Sequence, residues 1–233
     1  MTTTKTYNVI VVGYQGQGKS ATVMKLSGDP NYKGKDGKIT RKTFRLKEPS
    51  SWTVHVVDTP GLGSLATSDH KILDRIYNEA RCLQHVDAIL IVFKTDRIKN
   101  TQIKAVDQFC KIFGDNFLQK SIIVLTFADA VKQKNTSIGE FLANSPETFQ
   151  SLYKKCGERI WCVENSDWED REENQEELIE LIKSVETVPY KIPGAGRVIC
   201  CGKSAVCIAV TVAIVGAVVI AVAVAVGVAV TNS

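Results

Sequence analysis

Short apolar, β-branched runs alternate with stretches of helical period along most of the chain. Tyr7–Val12, Trp52–Val57, Ala88–Phe93, Ile122–Thr126 and Arg159–Val163 are five or six residues long and read as buried strands. Helical patterns fall between and after them, at Ser20–Leu26, Lys71–Leu83, Thr101–Phe113, Thr136–Cys156 and Asp170–Val185. Ser145-Pro146-Glu147 predicts a break in the fourth pattern, with Ser145 as cap and Pro146 at the first position of a new helix. Strands alternating with helices predict an α/β fold, a mainly parallel sheet with helices on both faces.

The pattern changes at Ala205. From there to Val230 run 26 residues without a charge, chiefly valine and alanine. As a helix this run would reach roughly 39 Å, more than the ~30 Å hydrocarbon core of a bilayer. Three regions follow: a folded domain over 1–188, a basic linker over 189–204 and a transmembrane tail anchor over 205–230. Lys191, Arg197 and Lys203 precede the run and Thr231, Asn232 and Ser233 follow it, so the expected localisation is a single-pass membrane protein with its folded domain cytosolic. Cys200 and Cys201, just before the run, are candidates for acylation or simply interfacial thiols. Alanines at every fourth position from Ala205 to Ala229 line one ridge of that helix, which suits either self-association or an anchor with no partner preference.

Composition and charge narrow the classes. The 233 residues carry a formal charge of +4, and the seven cysteines form no CxxC pair, so reduced thiols are expected rather than a disulfide scaffold. The acidic stretch Glu164–Glu180 reads as a solvated helix face with an acidic first turn. Lys33–Lys47 holds seven bases with too little aromatic interleaving for a nucleic-acid surface. A mobile basic loop near phosphates is expected there, and no nucleic-acid partner.

The chemistry begins at Gly13-Tyr14-Gln15-Gly16-Gln17-Gly18-Lys19-Ser20, which matches the phosphate-binding P-loop pattern between a strand and a helix. Its glycines let backbone N–H groups curl round phosphates at a helix N-terminus. Gly13, Gln15, Gly16, Gln17, Gly18, Lys19, Ser20 and Ala21 are therefore candidate nucleotide-binding residues. Lys19 would reach the β- and γ-phosphates, and the Ser20 hydroxyl would ligate Mg²⁺. Asp58-Thr59-Pro60-Gly61 ends the second strand, where α/β sheets bind ligands; Asp58 is a metal candidate, and the Gly61 N–H can approach a γ-phosphate. Thr40 and Thr43 both lie in the basic stretch, and Thr40 is favoured to complete the metal shell.

In order and spacing, five blocks resemble the immunity-associated GTPases, also called GIMAP or immune-associated nucleotide-binding proteins, with an avirulence-induced-gene type G domain. These blocks are GYQGQGKSATVMKLSG, ITRKTFRL, VVDTPGLGS, DRIKNTQIKAVDQFCKIFGDNFLQKSIIVLTFADAV and LYKKCGERIWCVENSD. The resemblance covers about residues 6 to 186 and implies a P-loop, Ras-like G domain in a branch related to septins and chloroplast import receptors. It implies GTP/GDP and Mg²⁺ as ligands, with Thr126 and Asp129 of Thr126-Phe127-Ala128-Asp129 reading guanine and Asn165 flanking the base. It also implies that Arg97 lies where a neighbouring subunit's cation could assist hydrolysis, hence a homodimer or homo-oligomer. Leu62 follows Gly61 where Ras-like enzymes carry a water-orienting glutamine, so the conversion of GTP and water to GDP and phosphate is expected to be slow. The leading expectation is a membrane-anchored, GTP-controlled assembly switch. The alternatives are a turnover-driven GTPase resembling an organelle import receptor, and an ATP-dependent P-loop enzyme.

Overall fold

The computed structural model describes residues 5–35, 37–46, 52–83, 85–96, 98–114, 116–127, 137–164 and 171–185, all within one unit, Met1–Pro193. Its strands are β1 (Lys5–Gly13), β2 (Thr40–Arg45), β3 (Trp52–Asp58), β4 (Ala88–Lys94), β5 (Ser121–Thr126) and β6 (Ile160–Val163). Its helices are α1 (Lys19–Ser27), α2 (Asp69–Arg81), α3 (Asn100–Phe113), α4 (Ile138–Ala143), α5 (Glu147–Lys155) and α6 (Arg171–Val185). The strands form one sheet in the order β2-β3-β1-β4-β5-β6. Only β2 runs antiparallel to its neighbour.

The period-2 geometry of the strands sends alternate residues to opposite faces. Ile10, Val12, Ile89, Ile91, Phe93, Ile123 and Leu125 pack with Ile72 and Ile76 of α2, Phe109 and Phe113 of α3, and Phe149 of α5. Val9, Val11, Leu90, Val92, Ile122 and Val124 pack on the other face with Val23 and Leu26 of α1 and Leu178, Ile179 and Ile182 of α6. Both faces of β1, β4 and β5 are thus covered, which is why these runs are apolar throughout rather than alternating. A parallel sheet also gathers the carboxyl ends of β1, β3, β4 and β5 on one side.

Two local expectations are corrected. The basic stretch contains an edge strand: β2 pairs with β3 from Thr40↔Asp58 to Arg45↔Thr53. Arg41, Thr43 and Arg45 are its exposed positions, while Lys42 and Phe44 are half-buried. Charges on the outer positions of an edge are compatible with pairing on the inner side and discourage pairing with another chain. Ser145 is not a cap. Its Oγ donates to the Phe141 carbonyl at 2.8 Å, and Pro146, extended at ψ 141°, stands at the cap position of α5 instead.

Arg97, Asp129 and Asn165, the linker 189–204, Cys200, Cys201 and the run 205–230 lie outside the described residues. Among the described residues no helix is long and apolar enough to cross a membrane.

Candidate functional site

The P-loop leaves β1 at Gly13, where φ is +147° and a Cβ would stand 2.7 Å from the Val92 carbonyl oxygen of β4. Gly18, at φ +91°, turns the chain into α1, which has no side-chain cap and no acid in its first turn. Its first N–H groups therefore point toward an adjoining cavity of about 220 Å³. Gln15, Gly16, Gly18, Lys19, Ser20 and Ala21 line that cavity from below, and Asp58, Thr59, Pro60 and Gly61 from the end of β3.

Gln17 and Thr126 do something other than face a ligand with their side chains. Gln17 Oε1 accepts from the Lys94 N–H at 2.8 Å, and its carbonyl accepts from Thr126 Oγ1 at 2.9 Å. Both residues are buried. They brace the loop against the ends of β4 and β5, joining the phosphate cradle to the segment that begins Thr126-Phe127. Phe127 itself adopts φ +59°, with its ring half-exposed under the Lys94 ammonium at 4.2 Å. On the far side of α1, the fully buried Lys25 donates from Nζ to the Glu164 carbonyl just beyond β6.

The charged centre is compact. Lys19 is buried and donates to the Tyr14 carbonyl at 2.8 Å. Burial pushes its ammonium down to about 8, against the opposing pull of the Asp58 carboxylate. Burial raises the Asp58 carboxyl above its ordinary range, opposed by hydrogen bonds from Ser20 and Tyr32 and by the Lys19 charge. Tyr32 Oη donates to Asp58 Oδ2 at 3.0 Å and lies 2.7 Å from Thr40 Oγ1. Ser20, Thr40 and Asp58 are thus brought together through one hydroxyl–carboxylate network, with Thr40 at the start of β2 rather than in a loop.

Asp58 Oδ1 is buried with no hydrogen-bond partner among the described residues. A buried, unpartnered carboxylate oxygen costs ~1–3 kcal/mol or more, and hard oxygen donors beside it suit a Mg²⁺-type cation that keeps water and phosphate ligands. The donor set fits such an ion. Among the described residues no cluster of His, Cys, Asp and Glu competes for it.

Tyr32 and Gly34 belong to the site, yet no motif marks them. A Cβ at Gly34 would overlap the Ser20 hydroxyl and stand 2.9 Å from Asp58 Oδ2. Only a glycine lets that loop lie so close. At Gly61 a Cβ would be 2.5 Å from the Gln15 backbone and 2.7 Å from Lys19 Nζ. Beyond it, Leu62 donates its N–H to the Gly13 carbonyl at 3.1 Å and accepts from the Gln15 N–H at 2.8 Å. The Leu62 side chain is fully buried in the core against α2. Its inability to orient water therefore has a geometric cause as well as a chemical one.

A protein-family model described as the AIG1 family matches residues 7–194. The chain belongs to the AIG1 family. Among relatives, it is 29% identical over 196 residues to immune-associated nucleotide-binding protein 13 of Arabidopsis thaliana, covering 80% of this chain and 56% of that one. This AIG1-family chain spans about half the length of the curated relatives it matches. In fold it is similar to Toc33 from Arabidopsis thaliana in complex with GDP and Mg²⁺, with TM-score 0.60 and 20% identity over 78% of this chain and 85% of that one. It is also similar to a structure of the chloroplast translocon components atToc33 and psToc159, for whose GTPase activity dimerization is important. That match has TM-score 0.57 and 20% identity over 78% of this chain and 84% of the other. These likenesses establish the α/β P-loop fold of a G domain.

Proposed function

We propose that this AIG1-family chain binds GTP and GDP with Mg²⁺, hydrolyses GTP slowly, and works as a GTP-controlled assembly switch held on a membrane by residues 205–230. The observation that carries the reading is the convergence of Lys19, Ser20 and the unpartnered Asp58 Oδ1 on one cavity at the strand ends. Bound Mg²⁺ would be held by Ser20 and Asp58, with Thr40 joining when a γ-phosphate is present, and it would neutralise charge on the β- and γ-phosphates. Lys19 holds phosphate, the α1 N–H groups orient it, and Asp129 selects guanine by accepting from its ring N–H and amine.

The importance of dimerization for the GTPase activity of atToc33 and psToc159 supports assembly as the regulated step. Arg97 would then act on the γ-phosphate of a partner copy, and anchoring raises the local concentration of G domains. Turnover per chain, followed against protein concentration with GTP and competing ATP, tests the reading. A rising specific activity that GTP sustains and ATP does not displace is expected. Flat activity with concentration overturns the switch in favour of an import-receptor-like turnover enzyme, and equal competition by ATP overturns guanine selectivity.

A pH effect follows from Lys19. Phosphate is held by the ammonium, whose value in the ligand-free protein is about 8. Above that pH the proton must be taken up on binding, so GDP affinity is expected to fall by about tenfold per pH unit. Below it the affinity is level. Calorimetric titration at several pH values on either side of this point is the check, and a profile flat throughout would show that Lys19 does not carry the phosphate charge.

A further inference from the structure

Because Leu62 is fully buried and pinned at both its N–H and its carbonyl, a water in the cavity must take its orientation from another group. Such a group has to be able to accept a hydrogen bond from water, must line the cavity, and must not already be committed. Lys19, Lys35 and Lys38 line it but carry donors only. Ser20 is bonded to Asp58, and the Asp58 carboxylate, which also lines the cavity, is taken by the metal on the reading above. Thr59 Oγ1 donates to the Val11 carbonyl at 2.6 Å, and Ser64 Oγ accepts from the Ala66 N–H at 3.3 Å.

Gln15 remains. It lines the same cavity, is exposed to it, and its amide makes no hydrogen bond within the described residues. Its backbone does not drift, since its N–H is held by Leu62 and its Cα lies against Gly61, beside Lys19 Nζ. The side chain therefore springs from beside Gly61, where a terminal phosphate would approach on the reading above. An amide offers one acceptor and two donors, enough to hold a water and a phosphoryl oxygen together.

We propose that Gln15 is the catalytic residue that orients the attacking water, from within the P-loop of the same chain; this rests on the GTPase reading above. The water oxygen bonds to the γ-phosphorus while the bond to the β,γ-bridging oxygen breaks, its electron pair leaving on GDP. The water's proton goes to the phosphoryl oxygens and departs with phosphate. Gln15 neither gains nor loses a proton, and its contribution is positioning of the reacting water. Arg97 of a partner copy would add charge and not orientation, so the two roles are separable.

The test uses the full chain in detergent, carrying Gln15→Leu, Gln15→Asn or Ser64→Ala, with three readouts. These are single-turnover GTP hydrolysis, GDP affinity, and the gain in GDP affinity on adding aluminium fluoride, a mimic of the transferring phosphoryl group. Both Gln15 substitutions are expected to lower the rate by about tenfold or more, within the usual range for loss of one positioned catalytic group. GDP affinity should stay within about twofold of wild type, because Gln15 belongs to the cradle by its backbone, which both substitutions keep, and the fluoride-dependent gain should be lost, because only that complex needs the ordered water. A Gln15→Leu chain that hydrolyses at the wild-type rate, or that keeps the fluoride-dependent gain, overturns the proposal. So does loss of both in Ser64→Ala with Gln15→Leu unaffected. A wild-type chain that fails to bind GDP at all overturns the GTPase reading itself, and this inference with it.

Discussion

Replacing Lys19 by methionine is expected to abolish nucleotide binding while making the ligand-free protein more stable. The Lys19 side chain is buried, and desolvation lowers its ammonium from 10.5 to about 8. Each unit of such a shift corresponds to ~1.4 kcal/mol of disfavour for the charged form. The Lys19→Met change removes that disfavour and keeps the hydrophobic stem. It also leaves Asp58 without a neighbouring cation, which takes part of the gain back. The net stabilisation is expected to be on the order of 1 kcal/mol.

The pH sign supports the same assignment. Lys19 binds its proton less tightly folded than unfolded, so the wild-type ligand-free fold gains stability as pH rises from about 8 toward 10.5. The Lys19→Met chain should lack that gain. For nucleotide the effect is a loss of about a hundredfold or more in affinity, since a charge-assisted contact to phosphate in a water-poor cavity has no substitute. Thermal unfolding with and without GDP reads both effects at once. A variant that unfolds at lower temperature than wild type, or still gains from GDP, would mean that Lys19 is structural.

Gly34→Val is expected to disable the metal half of the site and leave the fold intact. Gly34 lies in the loop between α1 and β2 and is a member of neither apolar cluster. The new side chain would overlap the Ser20 hydroxyl and crowd Asp58 Oδ2. Either the loop lifts away, taking Tyr32 and Thr40 from Asp58, or Ser20 is displaced from its ligating position. Packed groups do not yield such space without loss. GTP affinity in Mg²⁺ is expected to fall by about tenfold or more, against little change in EDTA. The unfolding temperature should stay within a few degrees of wild type, as for other loop substitutions that touch no core residue. Equal GTP affinity in Mg²⁺ for both chains would remove the Gly34 loop from the metal site.

Much of this was legible along the chain because the signals are local. Five apolar runs are strands within a residue or two of their expected ends, and the three covered on both faces, β1, β4 and β5, carry apolar residues on both. Lys19 and Ser20 were marked for a different reason, since a backbone cradle for phosphate admits few residue types at a fixed spacing, and Asp58 by its place at the end of a strand. β2 was hidden by its seven surrounding bases, because charge content reports exposure of one side and says nothing about pairing on the other. Tyr32 and Gly34 carry no motif, as their role depends on residues 14 to 26 positions away in the chain. The bracing contacts of the Gln17 and Thr126 side chains were not legible either, since they depend on which way each side chain turns.

By itself, the sequence determined the α/β alternation, the P-loop pattern, the three oxygen-bearing candidates for a metal (Ser20, Thr40 and Asp58) and the absence of a glutamine after Gly61. Each follows from period, residue type or spacing, which are properties of a stretch of chain. Only the tertiary structure decided that Leu62 is locked in the core, that Asp58 keeps one oxygen unpartnered, and that Gln15 holds the free amide at the cavity. Those are properties of what lies opposite a residue, and the opposite wall comes from other strands and loops, brought near only when the sheet closes its two apolar faces.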